Sequence, residues 1–389
     1  MKIAYVTTFE LTRYSKPPKN HVGIWGAAHY ISKNLESQSI GLNYISPLKK
    51  KFTLITKIKW SFYRYLFKKD YYGWSEPLVV RDYATQISKK ISGINADIVL
   101  CTENALPVAY LNCEQPIVLW IDTTLAGLID FYPYLSNLCN NTRNNIYILE
   151  KYALDRCNLI IFSSDWAAQT AIKLYGMNPS KVQVVPWGAN IECNRTKDDI
   201  YKILESRISR PCKLLFVGVD WLRKGGNIAL DVTKQLNQMG LNTTLTVVGC
   251  KPTLNEPLPN FVEVQGFIDK STQAGLNKLN KLMTESHFLI LPTLADCSPH
   301  VLIEANSFGV PCLASDVGGI KTIIKEKVNG RTFSIDASVS NYCDYIVSIM
   351  EDYTDYKKLA MSAFDEYQSR LNWASVSQSV KQLLINLVS

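Results

Sequence analysis

The chain has 389 residues, 47% of them hydrophobic and 20% charged. That is ordinary globular composition, long enough for two domains with cores of their own, and it excludes low-complexity and short-repeat architectures. The net charge of +8 is modest, and no nucleic-acid-binding motif accompanies it, so nucleic acid is not an expected partner.

The opening "MKIAYVTTFE" (1–10) predicts a strand running into a loop. It lacks an apolar core long enough for a signal peptide, and no later segment approaches an uninterrupted membrane span. The ten cysteines include no C-x-x-C pair, and several, such as Cys101, Cys250 and Cys312, sit in apolar runs. That pattern fits reduced, buried thiols in a cytoplasmic protein and gives no metal site. Four histidines without an H-E-x-x-H pair give no support to a metal hydrolase. The sequons at Asn140, Asn194 and Asn242 carry no meaning without secretion.

The stretch 47–74 concentrates basic residues among aromatics. Ile58, Phe62, Tyr65 and Leu66 recur at helical spacing, with Lys57, Arg64 and Lys68 elsewhere on the wheel. Two readings stand side by side. Residues 57–69 form either a helix in contact with an anionic membrane surface or a surface helix whose aromatic face belongs to the core.

Apolar strand-like runs then alternate with helical stretches to the end of the chain. In the first half they are 2–9, 96–103, 116–124, 159–166 and 182–190; in the second, 213–221, 244–250, 261–267, 287–293 and 311–317. Near-continuous apolar strands separated by helices predict parallel sheets covered on both faces. Two such series predict an α/β protein of two doubly wound, Rossmann-like domains with a cleft between them. The polar stretch 190–213 reads as the linker. The domains are expected at 1–192 and 193–365, and 366–389 holds a final amphipathic helix returning to the first domain.

Two stretches carry candidate chemistry. In "VGVDWLRKGG" (217–226), Gly218 permits a tight turn after a strand, and Arg223 and Lys224 come just before a helix. Two cations beside helix N–H groups would neutralise a departing diphosphate. In "ADCSPHVLIEANSFGVP" (295–311), Ser298 reads as an N-cap and Pro299 as the first helical residue. Val301, Leu302, Ala305 and Phe308 form the apolar face, and Gly309 ends the helix. The helix start would favour an anion, flanked by Asp296 and Glu304 as acceptors for hydroxyls. Phosphate plus polyol describes a nucleotide sugar. The plainer reading is a capped helix with a solvated glutamate.

Taken together, "FVGVDWLRKGG", "LTVVG", "VQGF" and "LPTLADCSPHVLIEANSFGVPCLASDVGG" resemble the donor-binding half of glycosyltransferase family 4, retaining enzymes of the GT-B fold. That family carries a glutamate, seven intervening residues, then a second glutamate opening E-A-x-x-x-G-x-P. Glu304 matches the second, and Asp296 stands where the first is expected. In the first half, "GIWGAAHYISKNLE" (23–36) is similar to the family's glycine-containing loop and following helix. The resemblance covers nearly the whole chain.

The resemblance implies that Arg223 and Lys224 contact the donor diphosphate, Glu304 accepts from the ribose and Asp296 holds hydroxyls of the transferred sugar. It places Gly218, Gly249, Ser298, Pro299, His300 and Val301 along the sugar and phosphates, and Gly266 and Phe267 at the base. Gly23, Ile24, Trp25 and Gly26 would form the acceptor-side loop facing the donor. No metal or other cofactor is implied, the nucleoside-diphosphate sugar being a co-substrate. The aspartate at 296 departs from the family pattern. So does Ile121–Asp122, which stands where many members have His-Asp; Asp122 would be a catalytic residue or merely cap 123–129.

The expected activity is retaining transfer of a sugar to a hydroxyl of a glycan or lipid-linked acceptor, in cell-surface polysaccharide or glycolipid assembly. The location is cytoplasmic or peripheral on the inner membrane face. The alternatives are a nucleotide-sugar epimerase or hydrolase on the same fold, and a catalytically silent binding subunit.

Overall fold

The computed structural model describes residues 1–11 and 22–389. Among them, twelve strands form two separate six-stranded parallel sheets. The chain divides into one unit of residues 1–190 with 373–389 and a second of residues 191–372.

The first unit carries β1 (Lys2–Val6), β2 (Gly41–Ile45), β3 (Ile98–Cys101), β4 (Ile117–Ile121), β5 (Leu159–Phe162) and β6 (Val182–Val184), ordered β2-β1-β3-β4-β5-β6. Its helices are α1 (Val22–Ser37), α2 (Thr53–Leu66), α3 (Pro77–Ile91), α4 (Leu125–Leu128), α5 (Asn140–Arg156) and α6 (Asp165–Tyr175). The side-chain period of two sends alternate residues to opposite faces. Ala4, Val6, Val99, Cys101, Leu119 and Ile121 enter one core, and Ile3, Tyr5, Ile98, Leu100, Val118 and Trp120 the other. Both faces are therefore covered, which is why these strands read as unbroken apolar runs.

The second unit carries α7 (Lys197–Ser206), β7 (Cys212–Val217), α8 (Gly226–Gln238), β8 (Thr243–Val248), β9 (Val262–Gly266) and α9 (Gln273–Glu285). It continues with β10 (Phe288–Leu291), α10 (His300–Asn306), β11 (Cys312–Ser315), α11 (Ile320–Ile323), β12 (Gly330–Phe333), α12 (Val339–Glu351) and α13 (Tyr353–Arg370). The sheet order is β12-β11-β10-β7-β8-β9. Strand order reverses between β7 and β10, the doubly wound arrangement that leaves a crevice at the strand ends. The last helix, α14 (Trp373–Val388), belongs to the first unit, where Trp373, Val376, Val380 and Leu384 join the second of its cores.

Several expectations need correction. The stretch expected as a linker contains α7, closed at its start by a reciprocal Thr196/Asp199 capping box and buried through Ile200 and Leu204. The expected boundary after 365 falls inside α13. The buried face of that helix continues through Tyr367, and Arg370 donates to the carbonyls of Thr322 and Ile323. Strands β2 and β12 were not anticipated; both are edge strands, with exposed residues interrupting their burial. Helix α2 does not turn an aromatic face to the core, since Thr56 is its one buried residue.

Candidate functional site

The switch point of the second unit gathers side chains from the carboxyl ends of β7 and β10. After β7 the chain turns at Gly218, whose N–H donates to the Val248 carbonyl, and Asp220 accepts from the Arg223 N–H at 3.0 Å. Two glycines make the packing of this end possible. Gly225 has φ 78°, and a Cβ there would meet the Pro292 carbonyl oxygen at 1.8 Å. Gly249 has φ 98°, and its Cβ would lie 2.6 Å from the Gly218 carbonyl oxygen. Any other residue at either place would push β7 and its neighbours apart.

With the loops that close, the charged side chains meet. Lys224 Nζ donates to both oxygens of Asp296, at 2.7 and 2.8 Å. Arg223 donates to the Ala295 carbonyl at 2.7 Å, with its guanidinium 3.6 Å from Asp296. All three side chains are largely buried. Backbone bonds hold the partners in register: Leu294 donates its N–H, and Thr293 its hydroxyl, to the Arg223 carbonyl. Asp220 also lies 3.8 Å from the Arg223 guanidinium, so two carboxylates balance the two cations.

A second buried carboxylate lies on α10. The Glu304 side chain is only 4% exposed and accepts from Lys270 Nζ at 2.6 Å. The plainer of the two readings, a solvated glutamate, is therefore set aside. Lys270 is a residue that sequence reading missed. It stands on the crossover from β9 back to β10, an edge strand to one three places away, and no local pattern announces a partner 34 residues distant. Gly266, at φ 68°, ends β9, and Phe267 beside it is exposed.

Helix α10 begins one residue later than expected. Pro299, extended at ψ 104°, is its N-cap and offers no side-chain cap; Ser298 precedes the helix, while His300 and Val301 form its first turn. The structure thus brings Gly218, Arg223, Lys224, Gly249, Gly266, Phe267, Asp296, Ser298 and Pro299 to the carboxyl ends of one sheet, with His300, Val301 and Glu304 on the helix α10 that follows.

The remaining candidates belong to the first unit. Gly23, Ile24, Trp25 and Gly26 lie in the first turns of α1, not in a loop, and the helix buries Ala27, Ala28, Ile31 and Leu35 further on. Trp25 donates to the Glu10 carbonyl and stacks on His29. Asp122 follows β4 and accepts from the Ser163 hydroxyl at 2.7 Å. The cap of α4 is Thr124, whose hydroxyl accepts from the Gly127 N–H, so capping is not the role of Asp122. The unit also holds a carboxylate that sequence reading passed over. Glu103, just after β3, accepts from the Thr8 N–H and from the hydroxyls of Thr7 and Thr8.

Comparison with known proteins assigns this arrangement to a class. Residues 205–365, most of the second unit, match the family described as glycosyl transferases group 1. The sucrose-phosphate synthase of Thermosynechococcus elongatus superposes with a TM-score of 0.68 at 14% identity, over 99% of this chain and 98% of that one. An Anabaena protein, HepE, solved in complex with UDP, gives a TM-score of 0.63 at 16% identity, over 99% and 100%. These likenesses show the fold, GT-B, two Rossmann-like domains. Among curated proteins, the Escherichia coli UDP-Gal:alpha-D-GlcNAc-diphosphoundecaprenol alpha-1,3-galactosyltransferase is 20% identical over 52% of this chain and 54% of that protein. The chain spans about half the length of the first curated relatives it matches.

Proposed function

We propose that the protein is a retaining glycosyltransferase, moving a sugar from a nucleoside-diphosphate sugar to a hydroxyl of a glycan or lipid-linked acceptor in cell-surface polysaccharide or glycolipid assembly. The observation that carries this reading is the convergence of Arg223, Lys224 and Asp296 at the strand-order switch of the unit that matches the group 1 family. UDP is the favoured nucleotide, because the E. coli relative is named for UDP-Gal and HepE was solved with UDP.

The cluster suggests how the chemistry runs. A diphosphate arriving at the switch point competes with Asp296 for Lys224 and Arg223. Both cations then neutralise the charge that develops as the bond from anomeric carbon to diphosphate oxygen breaks. Asp296, released from the ion pair, accepts from hydroxyls of the sugar, while Glu304 takes the ribose hydroxyls in the place Lys270 fills in the unliganded chain. The acceptor hydroxyl attacks from the face the diphosphate leaves, and the departing diphosphate takes its proton. No protein nucleophile and no metal is required, since the positive charge comes from Arg223 and Lys224. Asp122 and the Gly23–Gly26 turn serve the acceptor side. The site of action is the cytoplasmic face of the membrane. Among the described residues no helix is long and apolar enough to cross a bilayer, which is compatible with peripheral attachment.

Incubating the chain with UDP-sugars and a lipid extract, with products read by mass spectrometry, tests the proposal. A glycosylated lipid or glycan formed with release of UDP is the expected outcome. Free sugar formed at the same rate without acceptor would make it a hydrolase, an interconverted nucleotide sugar an epimerase, and no turnover a binding subunit.

A further inference from the structure

Helix α2 carries its apolar face outward. At about 100° per residue, Leu54, Ile55, Ile58, Phe62, Tyr65 and Leu66 fall within roughly 120° of one another on the wheel. All six are exposed, Tyr65 at 77% and Ile58 at 62%. A surface helix of a globular protein normally shows the reverse.

The opposite side fixes the helix in place. Thr56 packs where Gly73 leaves no space, a Cβ on Gly73 falling 2.5 Å from the Thr56 Cβ. Tyr63 stacks on Tyr71 at 5.7 Å, and Lys59 and Arg64 pair with Glu76 and Asp70 at 2.8 and 3.1 Å. The outward stripe is thus held rigidly rather than left to fold back.

Charge flanks the stripe. Lys57 and Arg64 lie together along one border and Lys59 along the other, while Lys68 follows the end of the helix at φ 51°. Residues 47–69 hold eight Lys and Arg and no acid.

We propose that α2 is an in-plane anchor on an anionic lipid bilayer. Its apolar stripe would enter about 5–10 Å into the boundary between headgroups and acyl chains, while the basic borders meet anionic headgroups. Net positive charge decides the occupant: residues 47–76 hold eight Lys and Arg against two acids, Asp70 and Glu76. A second copy would set like charge against like charge, whereas an anionic bilayer is complementary along the whole helix. This inference names the surface on which the proposed acceptor would be met. It rests on α2 alone, so vesicle binding and turnover can fail separately.

The experiment is flotation with phosphatidylcholine vesicles, with and without phosphatidylglycerol, at low and high salt. The variants are Ile58→Asp/Phe62→Asp and Lys57→Glu/Lys68→Glu. Size-exclusion chromatography runs alongside, and UDP binding and thermal unfolding confirm the fold. The wild-type chain floats with phosphatidylglycerol vesicles at low salt, less at high salt because screening acts within about 8–10 Å. Each double variant loses at least tenfold in bound fraction with UDP binding unchanged. A wild-type chain that stays with the soluble fraction, or folded variants that float like it, overturns the proposal. A dimer that Ile58→Asp/Phe62→Asp separates, without vesicle binding, assigns the stripe to a second copy and overturns it equally.

Discussion

The two sheets each reverse strand order once, and the two reversals are furnished differently. In the second unit the reversal between β7 and β10 holds a carboxylate, Asp296, between two cations. In the first it lies between β1 and β3, and there Glu103 accepts from the hydroxyls of Thr7 and Thr8 and from the Thr8 N–H. The contrast continues behind the strand ends. Glu304 in the second unit has Lys270, while the fully buried Glu150 in the first accepts from the Leu125 and Ala126 N–H groups and the Tyr175 hydroxyl. Under the proposed function, the cations would meet the donor phosphates, and Glu103 with its threonine hydroxyls would meet the acceptor. A single doubly wound plan can therefore serve donor and acceptor by changing what stands at one topological position.

The most damaging way to break the contrast is to remove the cations. Arg223→Ala and Lys224→Ala are each expected to cut turnover by about 10²-fold or more, one such group being worth roughly 3 kcal/mol in a transition state. Thermal unfolding must show a folded chain, because Lys224→Ala leaves Asp296 with only the more distant Arg223. Near-normal turnover in both variants would deny the cluster its role.

Next comes the response of each unit to pH. Burial raises the Glu150 carboxyl from 4.5 to about 7, against the three hydrogen bonds it accepts. The folded chain thus holds this proton more tightly than the unfolded one. The stability it contributes is full below about pH 4.5 and is lost as pH rises toward 7, on the order of 3 kcal/mol in all. In the second unit, burial and the nearby Arg207 charge lower His287 from 6.5 to about 4. Its Nδ1 accepts from the Lys213 N–H at 3.0 Å, leaving Nε2 facing the Ile208 carbonyl as donor, which fixes the neutral ring. Here stability is lost as pH falls from 6.5 toward 4. Melting temperatures measured across this range should therefore diverge. The advantage of wild type over Glu150→Gln shrinks as pH rises, and its advantage over His287→Gln shrinks as pH falls. Curves parallel to wild type in either variant would remove that residue from the comparison.

A finer cut separates the two carboxylates of the donor side. Glu304→Gln should weaken UDP-sugar and free UDP alike, by about tenfold, because the ribose is common to both. Asp296→Asn should weaken the sugar-bearing ligand more than UDP. Calorimetry giving equal losses for both ligands in Asp296→Asn refutes the division of labour.

How much of this was legible in the sequence follows from what kind of signal each feature leaves. The central strands are buried and read as apolar runs, whereas the edge strands "GLNYI" and "GRTF" have polar residues among their apolar ones and lack that signature. The sequence 197–206 looked like a linker because its helix buries only Ile200 and Leu204. The pairing of Arg223 and Lys224 with Asp296 could be anticipated from two motifs at the ends of strands in one series. The partner of Glu304 could not, since Lys270 sits in a stretch with no motif of its own. Nor could the outward stripe of α2, because a helical wheel gives the same pattern whichever way the helix is turned.

The smallest expected effect probes the hydroxyl-furnished reversal itself. Glu103 accepts on one oxygen from Thr7 and Thr8, and a carboxylate carries about four acceptor positions. Glu103→Gln keeps the size and an accepting oxygen but trades half the acceptor capacity for two donors. If this end of the first sheet receives the acceptor, KM for the acceptor rises several-fold, about the loss of one hydrogen bond of roughly 1 kcal/mol. KM for the UDP-sugar should stay unchanged. Thr8→Val tests the same point from the other side, removing a hydroxyl that holds the carboxylate while leaving the charge, and it should shift acceptor KM in the same sense. If both variants instead raise the KM of the UDP-sugar, the two reversals do not divide donor from acceptor and the contrast between them fails.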